Sequence, residues 1–216
     1  MTIFPLSPRQ QMLLPVLLLS GCAGSPAVTY YTLTPLPQLQ AVTPAWTAER
    51  PRLEIMPIRL PEEVDRPQLV LRTSPVTVSR REQWRWSGPL AEDIARTLAV
   101  SLEQGLPGVQ VSAGPVMTTG AGRYRLQLDV RQLQSSLQKP AGVFWDLHWR
   151  LQGPDQKELV SCHARLGEAV ATASGEALVQ AHQRVLARLA GQLQPVLSAA
   201  LASGRPPAML MCPAGA

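Results

Sequence analysis

Most of what reaction chemistry is built from is scarce in this chain. Its 216 residues hold three histidines, three cysteines and ten aromatic side chains. No CxxC pair and no metal-ligand spacing of His and Cys is present. A G-x-S-x-G nucleophile turn is also missing, and His148, His163 and His182 each lack a nearby candidate nucleophile, which disfavours a lipid or cell-wall hydrolase. Only Lys139 and Lys157 are lysines among 20 basic residues, and the charges are scattered. Nucleic-acid binders concentrate Lys and Arg in dense tracts, so the net charge of +5 does not point to that partner. After the first 21 residues no run reads as long and apolar enough to cross a bilayer, so the body is expected to be soluble.

What is present begins at the N-terminus. Arg9 precedes an apolar run from Met12 to Leu19, too short to span a membrane and of the length of a signal-peptide core. Leu19-Ser20-Gly21-Cys22 then matches a bacterial lipobox, L-[AS]-G-C. The match implies cleavage before Cys22, diacylation of its thiol and acylation of the new amino terminus. Several acyl chains, at about 0.8 kcal/mol per buried methylene, anchor a protein essentially irreversibly. Ala23 stands where an Asp would signal inner-membrane retention in enteric-type lipoproteins, so similarity to that rule implies the outer membrane. The expected organisation is a signal peptide at 1–21, a tether at 22–28, one domain at 29–202 and a flexible tail at 203–216.

Within the domain, β-rich runs predict strands at 28–33, 52–58, 68–72 and 76–78, the last two as a hairpin. Ser87 is a candidate N-cap for a helix with Pro89 in its first turn and Glu92 and Asp93 at its positive end. Leu90, Ile94, Leu98 and Leu102 form its apolar stripe, and Gly105 and Pro107 end it. A short strand at 109–112 is followed by three longer ones at 123–131, 144–151 and 159–166, each alternating apolar and polar residues. A final helix is expected from Ser174, with Pro195 kinking or shortening it. The fold class is α+β: a mainly antiparallel sheet with two long helices packed on one face.

Cys162 lies in a predicted strand and Cys212 in the tail. Two outcomes are open: a disulfide that pins the tail, or a buried free thiol beside a disordered tail. The polar sheet face carries Arg123, Arg125, Arg131, Arg150 and Arg165, a solvated face or a surface for acidic partners and phospholipid headgroups. Asp146, His148 and His163 could approach one another on neighbouring strands, but a third neutral metal ligand is not evident.

Three stretches resemble one known family: Tyr30-Tyr31-Thr32-Leu33, Leu60-Pro61-Glu62-Glu63-Val64-Asp65-Arg66-Pro67-Gln68-Leu69-Val70, and Arg85-Trp86-Ser87-Gly88-Pro89-Leu90. Their order and spacing behind a lipobox are similar to the PqiC family, auxiliary lipoproteins of the paraquat-inducible Pqi system and other MCE-type intermembrane transporters. The resemblance runs from about Tyr30 to Leu201. It implies a non-enzymatic subunit without cofactor or metal, lipid-anchored on the periplasmic face of the outer membrane. Its implied partners are a periplasmic MCE-domain protein and that protein's inner-membrane partner, with a homo-oligomeric ring plausible by analogy. Asp65, Arg66, Gln68, Arg85 and Trp86 are the candidate docking residues, because Trp and Arg are enriched in interface hot spots. The competing role for Trp86 is packing under the first helix, with Asp65 and Arg66 stabilising a turn. A general envelope assembly or regulatory lipoprotein is the alternative function.

Overall fold

The computed structural model describes residues 26–36, 50–114, 122–206 and Cys212. The signal peptide, the lipobox with Cys22 and most of the tail lie outside the described residues. In chain order the elements are β1 (Thr29–Tyr31), β2 (Arg52–Ile55), β3 (Gln68–Ser74), β4 (Thr77–Trp86), α1 (Leu90–Gly105) and β5 (Gln110–Ala113). They continue with β6 (Arg123–Ser136), β7 (Gly142–Gln152), β8 (Glu158–Ala169) and α2 (Gly175–Ser203). The fold is α+β, with a five-stranded sheet ordered β5-β2-β6-β7-β8 and a three-stranded sheet ordered β1-β4-β3.

Alternating apolar residues build the antiparallel β6-β7-β8 ladder. Trp145, Leu147, Trp149 and Leu151 of β7 are buried completely or nearly so, and face Leu178, Val185, Leu189 and Leu193 of α2 within one continuous core. α1 lies along α2 and β5. Three strand pairs are parallel: β2 with β5, β2 with β6, and β1 with β4. Alternation reveals which face is buried but not the direction of a neighbour, so these pairs were not legible. β2 stops at Ile55 rather than 58, because Pro57 has no N–H for the ladder. Arg59 makes only an isolated bridge to Asp129.

A bulge in β6 reverses its facing. Val130 opposes Leu147, but Gln132 opposes Asp146, so Arg131 is the extra residue. Before it, Tyr124, Leu126, Leu128 and Val130 point into the core; after it, Leu133 and Ser135 do. One inserted residue exchanges the two faces of a strand.

The helix ends correct two expectations. Ser87 is not the N-cap of α1: Pro89 occupies that position without a side-chain cap, and the Ser87 N–H donates to the Tyr31 carbonyl at 2.7 Å. Ser87 lies two residues before that position, on the extended stretch that continues the β1–β4 pairing. Ser174 does cap α2, its hydroxyl accepting from the Ala177 N–H at 3.1 Å. Pro195, however, does not shorten α2, which runs on to Ser203. There Gly204, at φ 63° in the left-handed region, returns its N–H to the Ala200 carbonyl. Leu193, Leu197 and Leu201 are buried on either side of the proline, so tertiary packing holds the helix across the missing hydrogen bond.

α2 also corrects the expectation that no later segment is membrane-like: by length and composition alone it could span a bilayer. Its apolar stripe is instead covered by the sheet, and Arg184 and Arg188 bind Glu168 of β8 at 2.8 and 3.0 Å. Cys162 of β8 and Cys212 are joined as a disulfide, with 5.5 Å between their Cα atoms. The bond holds Cys212 against β8, the edge strand of the larger sheet.

Candidate functional site

Two of the motif segments meet at the start of α1. Residues 61–66 fold into a tight turn, where the Pro61 carbonyl accepts from both Val64 and Asp65 N–H at 3.0 and 3.1 Å. Val64 is the apolar plug that seats the turn on the core. The chain then enters β3, and the Pro67 carbonyl accepts from the Trp86 N–H at 2.7 Å, fastening the end of β4 to the turn. Asp65, Arg66 and Pro67 from one segment, with Trp86, Ser87, Gly88, Pro89 and Leu90 from the other, therefore line a single cleft of about 430 Å³. A second cleft, of about 480 Å³, shares Asp65 and Pro89 with it and continues over Ile58, Ala91 and Ala95. Together they form a largely apolar groove with Asp65 at its centre.

Within this groove the candidate residues play different parts. Asp65 is exposed and has room to meet a partner. Arg66 is half-buried, one guanidinium nitrogen donating to the Glu62 carbonyl at 2.8 Å. Trp86 is 5% exposed and its ring stands edge-on to His182 of α2, centroids 6.2 Å apart. It therefore packs in the core against α2, and only its rim reaches the cleft. Gln68 and Arg85 are directly opposed across β3 and β4, and both donate to Glu82 at 3.2 Å. The structure thus places Asp65, Arg66 and Trp86 at one cleft, and Gln68 with Arg85 in a neighbouring exposed cluster neutralised by Glu82.

The third motif, around Tyr31, is the strap across the helices. Leu33 is buried and its carbonyl accepts from Thr97 of α1 at 2.9 Å, while Gln183 of α2 donates to Thr34 at 2.9 Å. The Tyr31 ring lies so close to the α2 start that a Cβ at Gly175 would stand 2.6 Å from its hydroxyl. Burial, and then the Glu176 carboxylate, push the Tyr31 pKa up.

His182 has a buried neighbour that the sequence did not reveal. Its Nε2 lies 2.9 Å from Ser135 Oγ, and its Nδ1 accepts from Trp145 Nε1 at 2.8 Å. The indole can only donate, so Nδ1 carries the lone pair and Nε2 carries the proton. A general base would need its lone pair facing the serine, the opposite tautomer. Burial without a counter-charge also pushes the His182 pKa down to about 3, keeping the ring neutral. The pair is a core hydrogen-bond network sealed from solvent. Its signal was the continued alternation Leu133-Gln134-Ser135, out of phase with the residues before Arg131.

On the polar sheet face, Asp146 takes His163 at 2.7 Å and Arg165 at 3.0 Å, while His148 pairs with Ser161 at 3.2 Å. Burial raises the Asp146 pKa, but the His163 and Arg165 contacts outweigh it and leave the carboxyl lowered. His148 stands directly opposite His163 across β7 and β8, as expected, but its ring pairs with Ser161, and among the described residues no three His, Cys, Asp or Glu side chains gather as metal ligands. Arg123 lies 3.4 Å from the buried Glu54 carboxylate, and Arg150 donates to Gln127. Much of the arginine face is thus engaged within the protein.

A family model described as "ABC-type transport auxiliary lipoprotein component" matches residues 31–194. A crystal structure of an uncharacterized protein has a TM-score of 0.66 at 17% identity, covering 79% of this chain and 98% of the other. A crystal structure of a Xanthomonas campestris protein of the DUF330 family has a TM-score of 0.57 at 18% identity, covering 77% and 92%. At these identities the likeness shows the fold alone. No curated protein matches the chain.

Proposed function

The chain belongs to the family of ABC-type transport auxiliary lipoprotein components, and on that premise we propose that it is the non-catalytic docking subunit of an MCE-type intermembrane lipid transporter. In this reading Cys22 holds it by acyl chains to the periplasmic face of the outer membrane, and the groove around Asp65 receives the periplasmic MCE-domain protein. One observation carries the reading: segments 61–67 and 86–90, far apart in sequence, are fastened by the Trp86–Pro67 hydrogen bond into one open, mostly apolar cleft. Apolar walls with a few charged groups at the rim are the anatomy of a protein-docking surface. Among the described residues the one fully buried serine–histidine pair, Ser135–His182, has the wrong tautomer for nucleophilic catalysis, which supports a subunit that binds rather than reacts.

The test is affinity capture of the full lipidated chain from detergent-solubilised envelopes. Wild type should bring down an MCE-domain protein with its inner-membrane partner, and Asp65→Ala, at the exposed position, should lose most of that yield while melting normally. Recovery of cell-wall synthases alone would favour a general envelope assembly lipoprotein instead.

A further inference from the structure

The direction of β1 sets the end of β4 toward which the chain points as it is followed back from Thr29. β1 runs parallel to β4, with Thr29 beside Trp84 and Tyr31 beside Trp86. Continued backwards from Thr29 in the same direction, the chain would run along β4 toward the β3–β4 turn at Pro75 and Val76. From Trp84 to Val76 is eight residues, at most about 26 Å of strand. From Thr29 back to Cys22 is seven residues, at most about 24 Å when fully extended. A body held by Cys22 thus cannot stand farther from its membrane than the hairpin reaches, and any slack in the tether brings it closer.

The hairpin end combines an exposed apolar tip with basic side chains. Leu69, Val70 and Leu71 seat its base in the core, but Val76 at the turn is 93% exposed and Val78 is 41% exposed. From Arg72 to Arg81 it carries three arginines and no acidic residue. Arg80 and Arg81 are exposed, Arg81 lying over the Trp84 ring at 5.6 Å, and Arg72 braces the turn by donating to the Pro75 carbonyl at 3.0 Å. Arginine matches the phosphate of a lipid headgroup, and a small apolar tip can enter the headgroup layer beside it.

We propose that the β3–β4 hairpin is a membrane-contacting finger, with Val76 set among headgroups and the Arg80 side chain behind it reaching toward anionic lipid phosphates. It rests on Cys22 being lipidated, as proposed above. The contact orients the body: Trp86 and the docking groove lie at the opposite end of β4, facing away from the membrane.

The experiment uses the full lipidated chain in phosphatidylethanolamine–phosphatidylglycerol vesicles, with Val76→Cys carrying an environment-sensitive dye. Val100→Cys, an exposed position on α1, carries the same dye in a second preparation. The protein should float with the vesicles. The Val76 dye should shift to the blue and be quenched by lipid-borne spin labels severalfold more than the dye at Val100. Flotation with a water-exposed dye at Val76, or equal quenching at both positions, overturns the finger and leaves the anchor standing. A blue shift without lipid quenching means that protein covers the tip, and also overturns it. Failure to float removes the anchor and the finger together.

Discussion

Among single residues, His182 carries the sharpest consequence. It is neutral and fully enclosed by Trp86, Trp145 and Ser135, with a pKa pushed down to about 3 against an ordinary 6.5. A histidine with a depressed folded pKa leaves stability untouched above pH 6.5. Below that the unfolded chain takes up the proton first, so stability falls as pH drops toward 3, by up to about 1.4 kcal/mol per pH unit. Urea unfolding at pH 8, 6.5, 5 and 4 should show a plateau followed by a decline, and His182→Gln should flatten that slope while lowering the plateau. A wild-type midpoint rising as pH falls from 6.5 would contradict this placement. Asp65 differs in kind: it is exposed, so its loss should alter binding with little effect on folding, whereas Arg66 also braces the 61–66 turn through the Glu62 carbonyl.

Secondary-structure elements were legible wherever period and breakers agree. The β6-β7-β8 ladder, the α1 stripe and the start of α2 near Ser174 follow from alternation and helical spacing. What escaped needed a partner strand to be visible. The bulge at Arg131 turns Ser135 inward only because β7 continues past it, and β4 runs from Thr77 to Trp86 because β1 and β3 flank its far end. The meeting of residues 61–67 with 86–90 is likewise a tertiary fact, although both stretches were identifiable as motifs. At this scale the Cys162–Cys212 bond closes a loop across 50 residues of sequence separation. Loop-closure entropy assigns such a link about 4 kcal/mol, as an upper range for the effect. Reduction, or Cys212→Ser, should lower the denaturation midpoint without changing the circular-dichroism spectrum, since β8 and α2 are held by their own core. An unchanged midpoint would mean that the bridge only tethers the tail.

At the scale of the whole molecule, the body is proposed to sit between two attachments, with the proposed finger at the Thr77 end of β4 and the proposed docking groove at its Trp86 end. Because one core runs through both helices and both sheets, the body should fold without its anchor. Cys22→Ala should accumulate unprocessed or mislocalised yet resist proteolysis like wild type. Normal outer-membrane fractionation of that variant would count against the anchor. The claim on which the rest depends is that the groove around Asp65 holds a transporter subunit. Its most direct test is a photo-crosslinking amino acid placed at residue 65 of the full chain in living cells, followed by identification of the adduct. The account predicts a crosslink to an MCE-domain polypeptide, and adducts formed only with unrelated envelope proteins would contradict it.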